Sequence, residues 1–260
     1  MKTAMNTSVT LTSLPATSLL DTLQARLASW QAGQGPLHSR SGLPSGFAEV
    51  DEVLPDEGWP QGALTELLTD ETGVSEFSLL LPVLARLTAK RGVLLVAPPF
   101  LPHAPALAQA GVDLDRLLVV PAGASRDALP AAELALSSGA CGAVLIWENG
   151  LSSLKGQSLP YLTLRRLHLA AERGNAMAVL YRASHHARQP SPAGLRIGLA
   201  QIQQRLQLQV FKRRGLFGAQ TASILPWLLP VQEPAAHHPR KPAWYAIPAA
   251  RLARPQMGVY

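Results

Sequence analysis

The sequence predicts an α/β protein with a mostly parallel central sheet flanked by helices. Two observations lead to this fold class: short, almost continuously apolar runs recur between residues 43 and 190, and segments with helical periodicity separate them. Strands that are apolar on both faces are typical of parallel sheets covered by helices. The composition agrees, because 47% of the 260 residues are apolar and 15% are charged, the balance of a folded domain.

The elements follow in order along the chain. Residues 1–42 contain one segment with leucines on a single helical stripe, which predicts a helix at about 17–32, followed by a linker. The core strands predicted from apolar runs are 63–68, 92–97, 117–121, 142–147 and 176–181. The helices predicted between them are 75–90, 102–111, 125–138 and 158–173.

Beyond residue 190 the pattern changes. Residues 194–200 and 205–213 alternate between apolar and polar side chains, which predicts an antiparallel hairpin at one edge of the sheet. Residues 230–260 contain six prolines and scattered basic residues, so we expect a flexible, basic tail there. The predicted organisation is therefore an N-terminal helix and linker (1–42), one α/β domain (43–229) and the tail (230–260).

Charge is distributed unevenly along the chain. Residues 1–172 hold 11 basic and 16 acidic residues, whereas residues 173–260 hold 12 basic residues and one acid, Glu233. This asymmetry suggests an anionic partner, either nucleic acid or an acidic protein surface, although a solvated basic face without a partner is the alternative. The candidate contact residues are Arg182, Arg188, Arg196, Arg205, Lys212, Arg213 and Arg214.

The turn after the first strand is the natural ligand site of such a sheet. A phosphate-binding loop needs several glycines, a lysine and a Ser or Thr that holds magnesium. This turn has one glycine, no lysine and three carboxylates, which would repel a triphosphate. We therefore expect a degenerate nucleotide loop, no ATPase activity and no cofactor. The loop residues are Thr69, Asp70, Glu71, Thr72, Gly73, Val74, Ser75 and Glu76.

Other reactive side chains point to no catalytic group. Glu148 follows the fourth strand and is interpreted as a helix-cap or surface acid, with a metal ligand as the alternative. His185 and His186 lie in a loop expected to be solvated. Cys141, the single cysteine, excludes an intramolecular disulfide and is expected to be a small buried side chain. Neither a transmembrane run nor a signal peptide is recognisable, so we expect a cytoplasmic protein.

The order of the motifs resembles a RecA-type core. Residues 43–68 resemble its beginning, with a Gly-Trp-Pro-x-Gly turn before the first strand, and the resemblance extends to about residue 220. Within that superfamily the amino-acid sequence is most similar to the ImuA family of RecA-like accessory proteins. The segments that carry this similarity are ELLTDETGVSEFSLLLPVLARL (66–87), APPFLPHAPALAQAGVDLDRLLVV (97–120) and SGACGAVLIWE (138–148).

The resemblance implies a non-catalytic scaffold of the SOS-induced mutasome, which supports translesion DNA synthesis. The implied partners are ImuB, the error-prone polymerase alpha subunit and, further, RecA or DNA, which would place the protein at the nucleoid when active. The related SulA cell-division inhibitors share residues 77–87 and 172–182, so inhibition of FtsZ is the alternative. The departures are in the phosphate loop, where the lysine and the Ser or Thr have no match, and at Pro98-Pro99, where RecA proteins place an acid.

Overall fold

The computed structural model describes residues 19–32, 42–70, 76–122, 127–151, 157–202, 205–213 and 220–224. Its α-helices are α1 (Leu19–Gln31), α2 (Ala48–Asp51), α3 (Leu81–Thr88), α4 (Ala104–Gln109), α5 (Ala128–Ser137) and α6 (Tyr161–Gly174). Its strands are β1 (Ala63–Leu68), β2 (Gly92–Val96), β3 (Leu117–Val120), β4 (Cys141–Trp147), β5 (Met177–Arg182), β6 (Leu195–Ile202), β7 (Arg205–Arg213) and β8 (Gln220–Ile224).

The eight strands form one mixed sheet in the order β3-β2-β4-β5-β1-β6-β7-β8. Six strands, from β3 to β6, pair in parallel, and β7 and β8 continue the sheet as antiparallel strands. The strand β1 therefore lies between β5 and β6, which are consecutive in the chain. A short 3₁₀ helix, Ser184–Arg188, lies in the connection that carries the chain from β5 to β6.

Helices cover the central strands on both faces. On one face α2, α3 and α4 contribute apolar side chains to a core that also takes Leu67, Leu95 and Leu145 from the strands. On the other face α1, α5 and α6 pack over the alternate strand residues, such as Leu94 and Val144. Because both faces are covered, strands β2, β4 and β5 are buried along their whole length, which explains their continuous apolar runs.

The first helix packs against the domain. Leu23, Leu27 and Trp30 of α1 are buried in the second core, and Arg26 Nη2 donates to the carbonyl oxygen of Asp115 over 3.1 Å. The Trp30 ring lies directly over Gly92, where a Cβ atom would come 2.0 Å from the ring. A glycine at the start of β2 is thus required by the close approach of the tryptophan.

The predicted α/β class, with a mostly parallel sheet and flanking helices, is confirmed. Each of the five core strands lies within one residue of its predicted bounds. The predicted hairpin of 194–200 and 205–213 is present, but it does not form the sheet edge, because β8 pairs outside β7. The predicted tail at 230–260 and most of the linker before residue 42 lie outside the described residues.

Candidate functional site

The carboxyl ends of β1, β4 and β5 meet at one edge of the sheet, where the topology places a ligand site. The helix that follows β1 lies on one face, and the helix that follows β4 lies on the other. Ligands of such sheets usually bind beyond the carboxyl ends of the strands, where such a change of side occurs. A cluster of buried charged side chains lies at and near these strand ends.

Glu66 is the centre of a buried ion cluster. It lies within β1, and its side chain is completely buried. Arg196 Nε of β6 donates to Glu66 Oε2 over 2.6 Å, and Arg182 Nη1 of β5 donates to Oε1 over 3.2 Å. Ser191 Oγ also donates to Oε1, over 2.7 Å. Two guanidinium groups therefore neutralise this carboxylate from both neighbouring strands.

Glu148 is the second carboxylate of the cluster. It follows β4, is buried, and binds Arg182 in a bidentate manner, with Nε–Oε2 and Nη2–Oε1 distances of 3.0 Å each. The imidazole Nε2 of His186 lies 3.3 Å from Oε2, and the backbone N–H of Leu159 donates to Oε1 over 2.7 Å. This bond fixes the residues just before α6.

Arg196 also holds the connection between β5 and β6. Its Nη2 donates to the carbonyl oxygen of His186 over 2.7 Å, and its Nη1 donates to those of Ala187 and Gln189, each over 3.1 Å. We define the ion cluster as Glu66, Glu148, Arg182, His186 and Arg196. Its formal carboxylate and guanidinium charges cancel, which is what burial in a low-dielectric interior requires.

Three sequence interpretations change as a result. Glu148 is not a surface acid, because it is buried and paired with Arg182. The loop after β5 is not solvated throughout, since His186 is buried while its neighbour His185 is exposed. Arg182 and Arg196 have to be removed from the candidate contact set, because their guanidinium groups are buried in ion pairs and cannot reach a partner's surface.

The beginning of the degenerate nucleotide loop is tied to the same connection. The backbone N–H of Thr69 donates to the carbonyl oxygen of Arg182 over 2.9 Å. The Asp70 carboxylate accepts from the Oγ and the backbone N–H of Ser184, and these bonds lower the pKa of Asp70. Glu76 is buried at the other end of the loop. The loop residues Glu71, Thr72, Gly73, Val74 and Ser75 lie outside the described residues.

An apolar groove opens beside this loop on the same edge of the sheet. Its volume is about 310 Å³, and it is lined by Glu76, Phe77, Ser78, Pro98, Pro99, Phe100, Leu101, Pro102 and Trp147. Trp147 stacks on Tyr181 below the groove, with ring centroids 4.6 Å apart. Phe100 and Leu101 on its rim are 72% and 66% exposed. Contiguous exposed apolar surface of this kind is typical of contact sites.

The remaining predicted basic residues separate into two groups. Arg188, Arg205 and Lys212 are exposed. Arg213 is partly buried, and its Nη1 donates to the carbonyl oxygen of Val53 on the opposite face of the sheet from Lys212. Arg214 lies outside the described residues. Lys212 and Arg213, the described residues of the basic run at the end of β7, therefore lie on opposite faces of the sheet.

The described residues show no ready arrangement for metal chemistry. No group of three or more His, Cys, Asp or Glu side chains within them could hold a metal ion. None of the helices in the described part of the chain has the length and apolar character that crossing a membrane requires.

Comparison with known proteins adds no identification: no protein-family model matches the chain, and no significant match exists among curated proteins.

Proposed function

We propose that this chain is a RecA-like scaffold without catalytic activity of its own, which supports damage-induced translesion synthesis through contacts with ImuB and the error-prone polymerase alpha subunit, and further with RecA or DNA. The family assignment rests on the resemblance of residues 43–220 to ImuA proteins. The architecture supports this assignment, because the sheet is mostly parallel with antiparallel strands at one side, as the resemblance implies.

The observation that carries the non-catalytic assignment is the ion cluster. A nucleotide hydrolase uses a carboxylate at a strand end to hold magnesium or orient water. Here Glu66, within β1, and Glu148, just after β4, are buried and bonded to Arg182 and Arg196. Releasing either one for catalysis would leave a guanidinium buried without its partner, at a cost of several kcal/mol. The cluster therefore favours a structural role.

The apolar groove supports the scaffold role. Protein interfaces have apolar cores with aromatic residues enriched, and a few such anchors dominate the binding energy. Phe100 and Leu101 are exposed beside the stacked rings of Trp147 and Tyr181, at the edge where other sheets of this class bind ligands. We assign the contact with ImuB to this groove, since it offers apolar anchors where a phosphate site would offer donors.

The test is pairwise binding of purified proteins. We expect the chain to bind ImuB, and the double variant Phe100→Ala, Leu101→Ala to bind at least about 10-fold more weakly, as for loss of hot-spot residues. The matched control is Leu162→Ala, because Leu162 is also 72% exposed but lies on α6, outside the groove lining. Equal loss in the control, or no binding by the unmodified chain, would contradict the assignment.

The absence of catalysis has its own test. We expect the melting temperature to stay unchanged when ATP and magnesium are added, because a ligand that binds only the folded chain must raise it. A magnesium-dependent increase in melting temperature, accompanied by phosphate release, would instead indicate an active nucleotide hydrolase. This measurement does not depend on ImuB and therefore tests the two parts of the proposal separately.

A further inference from the structure

One face of the outer part of the sheet is left open to solvent. The side chains of β6, β7 and β8 that point toward the core contact α2 and the first core. On the opposite face Arg196 is buried in the ion cluster, and the residues beyond it are exposed or half-buried. We call this second surface the open sheet face. It comprises Gly198, Ala200, Ile202, Arg205, Gln207, Gln209, Phe211, Lys212, Thr221 and Ser223.

A β-bulge places an aromatic ring and a cation on this face. The pairing of β6 with β7 shifts register between Arg196 and Ile197, so that Phe211 is the additional residue on β7. Bulges re-aim side chains in this way. The Phe211 ring lies over Gly198, where a Cβ would come 2.8 Å from Cε2, and the ring remains 44% exposed. Lys212 follows on the same face and donates to the Ser191 carbonyl oxygen.

The chemistry of the face is cationic and polar. Arg205 lies at the other end of β7 and is held by Ser223, with Nε–Oγ and Nη2–O distances of 2.9 and 2.6 Å. Arg205 and Lys212 are seven positions apart along β7, about 23 Å at the usual rise. Between them lie amides and hydroxyls that can donate and accept hydrogen bonds. The sequence has no Asp or Glu between Arg173 and Gln232, so the strands of this face contribute no carboxylate that would repel a polyanion.

We propose that the open sheet face binds single-stranded nucleic acid, with a base stacked on Phe211 and phosphates at Arg205 and Lys212. β-Sheets with exposed aromatic rings bind single-stranded nucleic acid by stacking the bases on those rings, while neighbouring cations contact the phosphate backbone. An acidic protein would use the same cations but would not require the ring. The inference deepens the proposed function by giving its DNA contact a place, and it does not use the apolar groove.

The experiment measures binding of a fluorescein-labelled oligothymidine of about 16 nucleotides by anisotropy. Phe211→Leu retains an apolar side chain over Gly198 but removes the ring, and we expect it to weaken binding about 5- to 150-fold. Phe211→Tyr retains the ring and should bind nearly as the unmodified chain does. Phe100→Ala is the matched control, since it removes an exposed phenylalanine from the groove instead.

The salt dependence tests the two cations. Combining Arg205→Gln with Lys212→Gln should reduce the slope of log K against log salt by about 1.4, since each phosphate contact to a single strand contributes about 0.7. Arg166→Gln, at an exposed arginine of α6, should leave the slope unchanged. Circular dichroism of every variant confirms that the sheet is folded.

Three outcomes would overturn the inference. The first is equal binding by Phe211→Leu and the unmodified chain, and the second is an unchanged salt slope in the double variant. The third is complete displacement of the oligonucleotide by polyglutamate at equal charge, which would make the face an acidic-protein surface. If the groove variant loses ImuB binding but binds oligothymidine normally, the inference about the open sheet face stands. If the Phe211 variant loses oligothymidine binding but binds ImuB normally, the proposed scaffold role stands.

Discussion

The carboxylate of Glu66 and the guanidinium of Arg196 lie 2.6 Å apart, Oε2 to Nε, in a buried pair that joins two adjacent parallel strands. The same carboxylate binds Arg182 on the strand at its other side. Glu66 therefore links its strand to both neighbouring strands of the sheet. The ion cluster orders the connection between β5 and β6, whose carbonyl oxygens bind Arg196.

Removing Glu66 should be strongly destabilising. In Glu66→Ala two buried guanidinium groups lose their shared carboxylate, and we expect the free energy of unfolding to fall by about 3–5 kcal/mol. Urea denaturation measures the change. The matched control is Glu133→Ala, which removes an ion pair of similar geometry with Arg166, whose side chain is 67% exposed, and should cost under about 1 kcal/mol. Similar costs for both variants would mean that the cluster contributes no more than a surface pair.

The contact of Trp30 with Gly92 predicts a second stability change. Gly92→Ala places a methyl group 2.0 Å from the indole ring, so α1 must shift, and we expect a loss of about 1–3 kcal/mol. In a background with Trp30→Leu the same substitution should cost much less, and a double-mutant cycle of denaturation measurements gives this coupling. Gly194→Ala is the control, because its Cβ would make only an ordinary 3.6 Å contact.

Because the Cys141 thiol is buried, we expect the free energy of unfolding to fall at alkaline pH. Burial raises its pKa to about 12 from an ordinary value of 9.0, against the opposing effect of Arg91. The folded chain thus holds the thiol proton more tightly than the unfolded chain does. This contribution is complete below about pH 9 and is lost between about pH 9 and 12, at up to about 1.4 kcal/mol per pH unit. Urea denaturation should show a shallower alkaline decline for Cys141→Ala, and an identical decline would contradict the assignment.

The apolar runs were sufficient to predict the central sheet. Strands such as β2 and β4 are buried on both faces, so their sequences contain almost only apolar residues and their bounds are visible. Only Ala222 and Ile224 of strand β8 are buried, so the short QTASI sequence gives too weak an alternation to separate the strand from a loop.

The ion cluster was missed because its members are distant in the sequence. Glu66 and Arg196 are separated by 130 positions. The apolar pattern of one β-strand does not reveal which other strands become its neighbours in the sheet. A usable signal was present nevertheless. Glu66 and Arg182 each interrupt or end a buried apolar run, and a charge placed within a buried strand requires an opposite charge nearby. Pairing these residues with each other would have kept Arg182 out of the predicted contact set.

The scaffold assignment is tested by co-purification of the tagged chain from DNA-damaged cells of its own source, with low-salt and high-salt washes. We expect ImuB and the polymerase alpha subunit to be enriched and to remain bound at high salt, because apolar contacts are not screened as charged ones are. The variant Phe100→Ala, Leu101→Ala should lose both, and Leu162→Ala should retain them. Enrichment of FtsZ without ImuB would contradict the scaffold assignment and favour the division-inhibitor alternative.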